Sequence, residues 1–398
     1  IMLTLNFNMA ETLAVAIVVL LLGREVKKRV AFLERFFIPA PVVGGVIFSI
    51  LLLIGHNTGA FSFNFDGVLK DFLMLIFFTT IGFTASGKLL KKGGVGVAIF
   101  LITATVLVII QDIVGVSLAK VFGLNPLLGL AVGSIPLTGG HGTSGAFGPV
   151  LEEFGATGGL SVSIAAATYG LIAGCLIGGP IAKRLKEKYN LKPNLEEAGM
   201  SIEELEDETA KPVSESTLFD AVVVISLAMG IGYWIAPFLK GYGIVIPAYI
   251  GPMFIAAIIR NIVDMQKKVL PMKEISITGN IALSLFLAMA LMTLKLWELA
   301  ALAIPMGIIL GCQVIFMWLY TRFIVFKAMG SDYDAAVMVS GMCGSGLGAT
   351  TNAMINMGEV SGKYGYTVNP YLVVPLTGAF LIDIFQMPVI LTAINLFK

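Results

Sequence analysis

Long apolar runs separated by short polar segments occupy almost the whole chain, and this pattern predicts a bundle of membrane-spanning helices. A helix needs about 20 predominantly apolar residues to cross a bilayer. In the first half the predicted spans are residues 9–23, 40–55, 69–86, 94–118 and 160–181. In the second half they are residues 218–238, 247–263, 277–294, 298–324 and 367–395.

A glycine-rich segment interrupts the pattern before the last span of each half. The first covers residues 126–152 and places four glycines between Gly139 and Gly145. The second covers residues 334–358 and is also rich in hydroxyl side chains. Broken backbone at membrane depth is costly unless it lines a cavity or is buried in protein. Two such segments at matching places therefore predict a binding site of the kind found in transporters.

Landmark residues recur in the same order in the two halves, which predicts an ancient duplication, although chance clustering in a chain with 45 glycines is the alternative. We expect a first repeat at residues 1–182 and a second at 218–398. The stretch between them, residues 183–217, carries six Lys or Arg and nine Asp or Glu, so we expect a solvated linker. The paired positions are Gly44 with Gly251, Gln111 with Gln313, and Gly133 with Gly341, at offsets of 207, 202 and 208.

The distribution of basic residues predicts the orientation of the chain in the membrane. Cytoplasmic loops are enriched in Lys and Arg. If both termini lie outside and both glycine-rich segments return to their side of origin, 21 of the 26 basic residues fall on the cytoplasmic side, with the linker. If those segments crossed completely, the linker cations would fall outside. The expected fold is therefore two inverted repeats of five transmembrane helices, each with a re-entrant helical hairpin.

Composition agrees with an all-α polytopic membrane protein. The chain has 398 residues, of which 57% are hydrophobic and only 13% are charged, and its mean hydropathy is +0.92. Soluble domains carry about 25% charged residues. A net charge of +1 with no basic face argues against a nucleic-acid partner. The three cysteines have no paired spacing, which indicates neither a disulfide framework nor a zinc site.

The glycine-rich segments supply the candidate substrate-binding residues. Helices that begin beside unwound backbone present free amides and a positive dipole end, which suit a carboxylate. Close packing of small residues between helices is the alternative explanation for the glycines. The predicted substrate-binding residues are Thr138, Gly139, Gly140, His141, Gly142, Thr143, Ser144, Ser345, Gly346, Thr350, Thr351, Asn352 and Asp383.

Carboxylates inside apolar runs indicate a path for a cation, because a charge at membrane depth is expensive and usually functional. Asp383 is the stronger candidate, for a substrate amino group or for Na+. Asp112 is equally consistent with a helix cap, and Asn280 with an amide that bonds a neighbouring helix. The predicted Na+ ligands are Asp112, Asn280, Ser340 and Asp383.

A hydrolase is a weaker alternative, since Gly142 to Gly145 matches the short motif of intramembrane serine proteases. Ser144 would be the nucleophile and would need a base poised on its hydroxyl. The only other histidine besides His141 is His56, in a polar loop. We therefore expect no enzymatic activity, and we expect His141 to donate a hydrogen bond in the cavity or to hold the tip of the segment in place.

From about Leu13 to Leu396, the chain resembles the bacterial sodium/glutamate symporter family. The resemblance implies Na+-coupled uptake of L-glutamate across the inner membrane, inverted repeats, a homodimer in the lipid bilayer and an elevator-like movement. A Na+ symporter for a di- or tricarboxylate remains open. The resembling stretches are Gly139-Gly-His-Gly-Thr-Ser-Gly145, Ser284-Leu-Phe-Leu-Ala-Met-Ala-Leu-Met, Lys295-Leu-Trp-Glu-Leu299, Tyr333-Asp-Ala-Ala-Val337, Gly346-Leu-Gly-Ala-Thr350, Val373-Val-Pro-Leu and Gly378-Ala-Phe-Leu-Ile-Asp383.

Overall fold

The computed structural model describes residues 3–36, 38–87, 94–193, 213–241, 246–299 and 302–398. The acidic run from residue 196 to residue 208 and the basic residues at 88, 91 and 92 lie outside them. The described helices of the first half are α1 (Met9–Arg29), α2 (Ala31–Arg35), α3 (Ala40–Thr58), α4 (Val68–Phe83), α5 (Gly94–Val121), α6 (Pro126–Leu130), α7 (Ser134–Leu137), α8 (Gly140–Glu153) and α9 (Gly159–Tyr189).

The helices of the second half follow a similar order, with two π-helical turns. They are α10 (Glu215–Gly232), α11 (Ile235–Lys240), α12 (Ile250–Met265), α13 (Met272–Leu291), α14 (Leu296–Leu299), α15 (Ala303–Tyr320), α16 (Phe326–Ala328), α17 (Tyr333–Leu347), α18 (Thr350–Tyr364), α19 (Asn369–Pro375) and α20 (Ile382–Phe397). The π-helical turns are Thr321–Val325, which joins α15 to α16, and Leu376–Leu381, which joins α19 to α20.

The predicted helical character is confirmed, but the expectation of a purely helical chain misses a short sheet. Strands β1 (Leu3–Phe7) and β2 (Phe61–Phe65) pair in parallel, with Leu3 opposite Phe61. Both sequences alternate apolar and polar residues, which is the period of a strand. The sheet holds the start of α1 beside the start of α4.

Seven helical segments in the described residues are long and apolar enough to cross a membrane, which agrees with a polytopic membrane protein. The remaining predicted spans correspond to α1 and to the 16-residue helices α4 and α12. The linker is also shorter than predicted: α9 continues to Tyr189, and α10 begins at Glu215. The charged ends of these two helices account for part of the polar stretch.

The helices form two groups according to which ones pack together. In the first group, α4 lies against α12 and α13, α1 against α3, and α10 against α12. In the second group, α9 packs on α8, α17 and α18, and α5 packs on α6, α15 and α20. We call them the outer group (α1, α3, α4, α10, α12, α13) and the hairpin group (α5–α9, α15–α20).

Each glycine-rich segment folds as a helical hairpin whose two ends lie together. Hairpin 1 is residues 126–153, and a Cβ added at Gly155, just after it, would lie 3.8 Å from Asn125 Nδ2, just before it. Hairpin 2 is residues 333–364, and the Tyr333 hydroxyl at its start donates to the Gly365 carbonyl at 2.6 Å. In each segment the residues at the start therefore lie close to those at the end.

Candidate functional site between the two hairpins

The tips of the two hairpins meet inside the hairpin group. In hairpin 1, α7 ends at Leu137 and α8 begins at Gly140, whose φ of +65° favours glycine. In hairpin 2, α17 ends at Leu347 and α18 begins at Thr350. A Cβ added at Gly140 would lie 3.3 Å from the Gly348 carbonyl oxygen. The first turns of α8 and α18 therefore both start at this contact.

Beside the tips lies a narrow pocket of about 10 Å³, to which α5, both hairpins and the final π-helical turn contribute. Its polar wall is made of hydroxyl side chains and glycine backbone, and its other walls are apolar. The polar wall comprises Thr138, Ser345, Gly346, Thr377 and Gly378. The apolar walls comprise Phe100, Ala104, Leu107, Met342 and Ile382.

Gln111 on α5 joins both hairpins at the edge of this pocket. Its Nε2 donates to the Gly346 carbonyl at 2.6 Å, and its Oε1 accepts from the Thr138 hydroxyl at 2.8 Å. The side chain is 1% exposed, so both bonds are made away from bulk water and fix the two tips relative to each other. In the sequence, Gln111 is only a landmark of the repeat and not a candidate site residue.

Three hydroxyl side chains gather around Gly378. A Cβ added there would lie 3.3 Å from Thr350 Oγ1 and 3.4 Å from Ser345 Cβ, so both side chains lie close to this glycine. The preceding residue, Thr377, is fully buried, and its Oγ1 has no hydrogen-bond partner among the described residues. Thr377 was not predicted as a site residue, although it lies between the two resembling stretches that end at Leu376 and begin at Gly378.

Asp383 follows Ile382, which lines the pocket, but its own side chain is not part of the lining. It is half-buried and forms no hydrogen bond or ion pair with the described residues. Asp383 is therefore an unpaired carboxylate, among the described residues, one position beyond the pocket lining, and its role toward a cation stays a prediction.

Several predicted residues of hairpin 1 face other parts of the protein. The Ser144 hydroxyl donates to the Gly140 carbonyl at 2.7 Å, and His141 Nε2 lies 3.0 Å from Thr168 Oγ1 on α9. Gly142 faces the outer group, since an added Cβ would lie 3.1 Å from Phe77. Gly139 approaches Thr143 of the same hairpin. These four positions shape the tip, and none of them lines the pocket.

Hairpin 2 places its predicted residues in different environments. Thr350 and Ser345 adjoin the pocket, whereas Thr351 is exposed. Asn352 is buried and donates to the Leu171 carbonyl on α9 at 2.9 Å, while its Oδ1 has no described partner. Asn352 therefore ties the start of α18 to the last helix of the first half.

The four predicted Na+ ligands are not gathered in one place. Ser340 donates to Val337 in its own helix at 2.7 Å. Asn280 is exposed on α13 and its Nδ2 lies 3.5 Å from Ser276 Oγ. Asp112 is buried on α5, and its Oδ1 accepts from the Ser134 amide at 2.8 Å. The cap left open for Asp112 by the sequence therefore exists, but it serves hairpin 1 and not the end of α5.

Hairpin 2 approaches α9 at backbone distance along three glycines one turn apart. A Cβ added at Gly170 would collide with the Leu347 carbonyl, and one at Gly174 would lie 2.8 Å from the Cys343 carbonyl. At Gly178 an added Cβ would collide with Asn356, which itself donates to the Gly174 carbonyl at 3.0 Å. Small-residue packing thus brings α9 close to hairpin 2, through glycines that lie outside the two glycine-rich segments.

Comparison with known proteins gives consistent results along the chain. A family model described as "Sodium/glutamate symporter" matches residues 5–366. A protein named sodium/glutamate symporter from Haemophilus influenzae is 41% identical over 95% of both chains, and one of the same name from Escherichia coli is 41% identical over 97% of both. The solved sodium proton antiporter MjNhaP1 from Methanocaldococcus jannaschii aligns over 97% of both chains with a TM-score of 0.46 and 15% identity.

The family match covers most of the chain, and the two relatives share two fifths of their residues with it. The helical fold and the apolar spans described above agree with a membrane transporter and not with a soluble enzyme. The chain belongs to the sodium/glutamate symporter family.

Proposed function

We propose that this protein imports L-glutamate together with Na+ across the bacterial inner membrane, and that glutamate binds in the pocket between the hairpin tips. The observation that carries the proposal is the meeting of two helix starts, Gly140 of α8 and Thr350 of α18, beside a pocket lined by hydroxyl groups. The relatives' shared name supports both transported species.

The two helix starts favour an anionic substrate. The first amides of α8 and α18 have no intrahelical partner, and the positive ends of both helix dipoles point at the tips. Thr377 adds a buried hydroxyl with no described partner to the same wall, whereas the hydroxyls of Thr138 and Ser345 donate to Gln111 and to the Gly341 carbonyl. A carboxylate accepts hydrogen bonds from amides and hydroxyls, so we assign this wall to the carboxylates of glutamate.

Asp383 favours glutamate over a dicarboxylate without an amine, because its carboxylate can pair with the amine of the substrate. It is the unpaired carboxylate nearest the pocket in the chain, beside Ile382, and a protonated amine would neutralise it. Competition measurements test this role. If unlabelled malate or citrate blocks uptake of labelled substrate and glutamate does not, the protein is a di- or tricarboxylate symporter and Asp383 is not an amine partner.

Uptake into proteoliposomes tests coupling to Na+. We expect [³H]glutamate to accumulate only when an inward Na+ gradient is present, with choline replacing Na+ in the control. Measuring ²²Na+ and glutamate fluxes in the same vesicles gives their ratio. Equal accumulation without Na+ contradicts the coupling.

Corresponding helix crossings support two inverted repeats. Gly23 on α1 packs against Gly44 on α3, and Gly232 on α10 packs against Gly251 on α12 in the same way. The crossing of α3 with α13 and that of α12 with α4 also correspond, with the partners exchanged between halves. Those contacts are Gly45 with Leu291 and Gly82 with Met253.

Contacts at the two ends of the bundle support the proposed orientation, with both termini outside and the linker in the cytoplasm. These contacts divide the loops into two sets, one at each end of the bundle. Each hairpin starts and ends within the same set, as re-entrant hairpins require. The set proposed to face the outside of the cell includes the pairs His56 with Trp297 and Lys120 with Phe397. The proposed cytoplasmic set includes the pairs Gly87 with Asn261, Thr217 with Glu274, and Tyr189 with Phe326.

The separation into two helix groups supports an elevator-like movement of the hairpin group against the outer group. Hairpin 1 faces α13 through Gly145, where an added Cβ would lie 3.0 Å from Phe286 and 3.4 Å from Leu287. Aliphatic and aromatic surfaces without hydrogen bonds can slide. A Gly145→Cys and Leu287→Cys pair, with Cys175, Cys312 and Cys343 replaced, should be bridged by Hg²⁺ and lose uptake reversibly. Uptake that persists after complete bridging contradicts the movement, and Gly145→Cys alone is the control.

We assign lipid and a second copy of the chain as further partners. Many apolar side chains on the bundle surface are exposed, among them Phe219, Leu227 and Trp234 on or beside α10, as expected for contact with acyl chains. Mass measurement in detergent tests the homodimer, and a mass of one protein chain contradicts it.

A further inference from the structure

Four buried oxygen atoms at the break between α6 and α7 have no hydrogen-bond partner among the described residues. They belong to side chains that are at most 4% exposed and that come from both halves of the chain. The four atoms are Asp112 Oδ2, Ser134 Oγ, Gln313 Oε1 and Gln386 Oε1.

Hydrogen bonds to one short stretch of backbone bring these side chains together. Asp112 accepts from the Ser134 amide at 2.8 Å, and Gln386 Nε2 donates to the Ser134 carbonyl at 2.8 Å. Gln313 Nε2 donates to the Gln111 carbonyl at 2.7 Å and lies 3.4 Å from the Val132 carbonyl. Three side chains from α5, α15 and α20 are thus anchored within three residues of hairpin 1.

These hydrogen bonds also determine which atom of each glutamine side-chain amide has no hydrogen-bond partner. A carbonyl oxygen can only accept, so the amide nitrogens of Gln313 and Gln386 must face the carbonyls they contact. Each Oε1 is then an acceptor that no described donor reaches. An unsatisfied buried acceptor costs about 1–3 kcal/mol, and an array of such acceptors calls for a partner that the polypeptide does not supply.

The chemistry of the array fits a small hard cation. Carboxylate, amide and hydroxyl oxygens are the ligands that hard cations prefer. Asp112 forms no ion pair with the described residues, so its charge is available to balance one positive charge.

We infer that Asp112, Ser134, Gln313 and Gln386 form a Na+ site behind the tip of hairpin 1. The inference rests on the proposed function and names the ion site of the same transporter. It keeps Asp112 from the predicted ligands and replaces Asn280 and Ser340. Because α7 runs from Ser134 to Leu137 and Thr138 follows it, Na+ at this site orders the segment that presents Thr138 to the pocket. Ion binding and substrate binding are thereby linked.

Direct binding of ²²Na+ to the purified protein, without glutamate, tests the site. Ser134→Ala removes the proposed hydroxyl ligand and keeps the bond from its amide to Asp112, so we expect Na+ affinity to fall about tenfold, as loss of one ligand worth ~1–1.5 kcal/mol implies. Asp112→Asn keeps an acceptor for the Ser134 amide but removes the charge, and should abolish measurable binding. Tyr249→Phe is the matched control, because it removes a buried, unpartnered hydroxyl near Phe78 of the outer group.

Thermal unfolding in choline chloride should show Ser134→Ala as stable as the unmodified protein. If Asp112→Asn does not fold, the Na+ affinity of Ser134→Ala by itself tests the site. Unchanged Na+ affinity in Ser134→Ala, or normal Na+ binding in Asp112→Asn, overturns the site. A protein that binds ²²Na+ here but does not take up glutamate contradicts the proposed function and leaves the site intact.

Discussion

Gln111 and Gln313, which the sequence pattern pairs as landmarks of the two halves, are in direct contact: Gln313 Nε2 donates to the Gln111 carbonyl at 2.7 Å. The Gln111 side chain in turn binds Thr138 and Gly346, one from each hairpin. Two amides inside apolar helices thus connect the halves at the place where the hairpin tips meet. This arrangement makes the position of each tip dependent on the other half.

Replacing Gln111 with methionine should uncouple the tips. The side chain keeps its length, but the Gly346 carbonyl and the Thr138 hydroxyl lose their partner, at a cost of about 1–3 kcal/mol for the buried carbonyl. We expect glutamate uptake to fall at least about tenfold and the unfolding temperature to drop. Uptake assays and thermal unfolding in detergent measure both effects.

Thr105→Val on the same helix is the control for Gln111→Met. Its hydroxyl bonds only the Leu101 carbonyl of its own helix, at 2.9 Å, so uptake should remain normal. Normal uptake by Gln111→Met would show that the tips do not need this connection.

Thr377→Val should weaken glutamate binding without reducing stability. The Thr377 hydroxyl is buried in the pocket wall and has no partner among the described residues, so its removal breaks no described bond. Loss of one hydrogen bond to a carboxylate, worth ~1.5–3 kcal/mol, predicts an increase of at least about tenfold in KM. Thr392→Val on α20 is the control. A lower unfolding temperature with unchanged KM would assign Thr377 a structural role.

Gly170→Ala should destabilise the packing of hairpin 2 on α9. The added methyl group meets the Leu347 carbonyl, which belongs to backbone and cannot rotate away, and overpacking of this kind costs about 1–3 kcal/mol. Gly311→Ala is the control, because nothing lies within 4 Å of a Cβ added there. Thermal unfolding compares the two variants, and equal melting temperatures would mean that hairpin 2 tolerates a wider separation from α9.

Ser144 should not react with a serine-directed fluorophosphonate. Its hydroxyl donates to the Gly140 carbonyl at 2.7 Å, and the nearby imidazole of His141 contacts Thr168 instead. Labelling of the purified protein, compared with Ser144→Ala, checks this. Labelling that disappears in the variant would restore the hydrolase hypothesis.

The apolar pattern alone predicts the helices closely, because each span must be long and continuous to be stable in lipid. The predicted hairpin of residues 126–152 ends one residue before the observed end of α8 at Glu153. The predicted hairpin of residues 334–358 is shorter than the observed one, since α18 continues to Tyr364. Residues 359–364 include several polar side chains, so the apolar pattern did not predict this last part of α18. Packing of one face of the helix stabilises it, and a long apolar run is not needed.

The site was only partly predictable. The sequence by itself determined where two segments break the helical pattern, and it predicted that both line a cavity, since unpaired backbone in a membrane must be buried or line a cavity. Only the tertiary structure decided which polar groups point into the pocket: Ser144 and His141 turn away from it, while Gln111 and Thr377 adjoin it. The direction of a side chain depends on how helices distant in sequence cross, and a local pattern carries no information about that crossing.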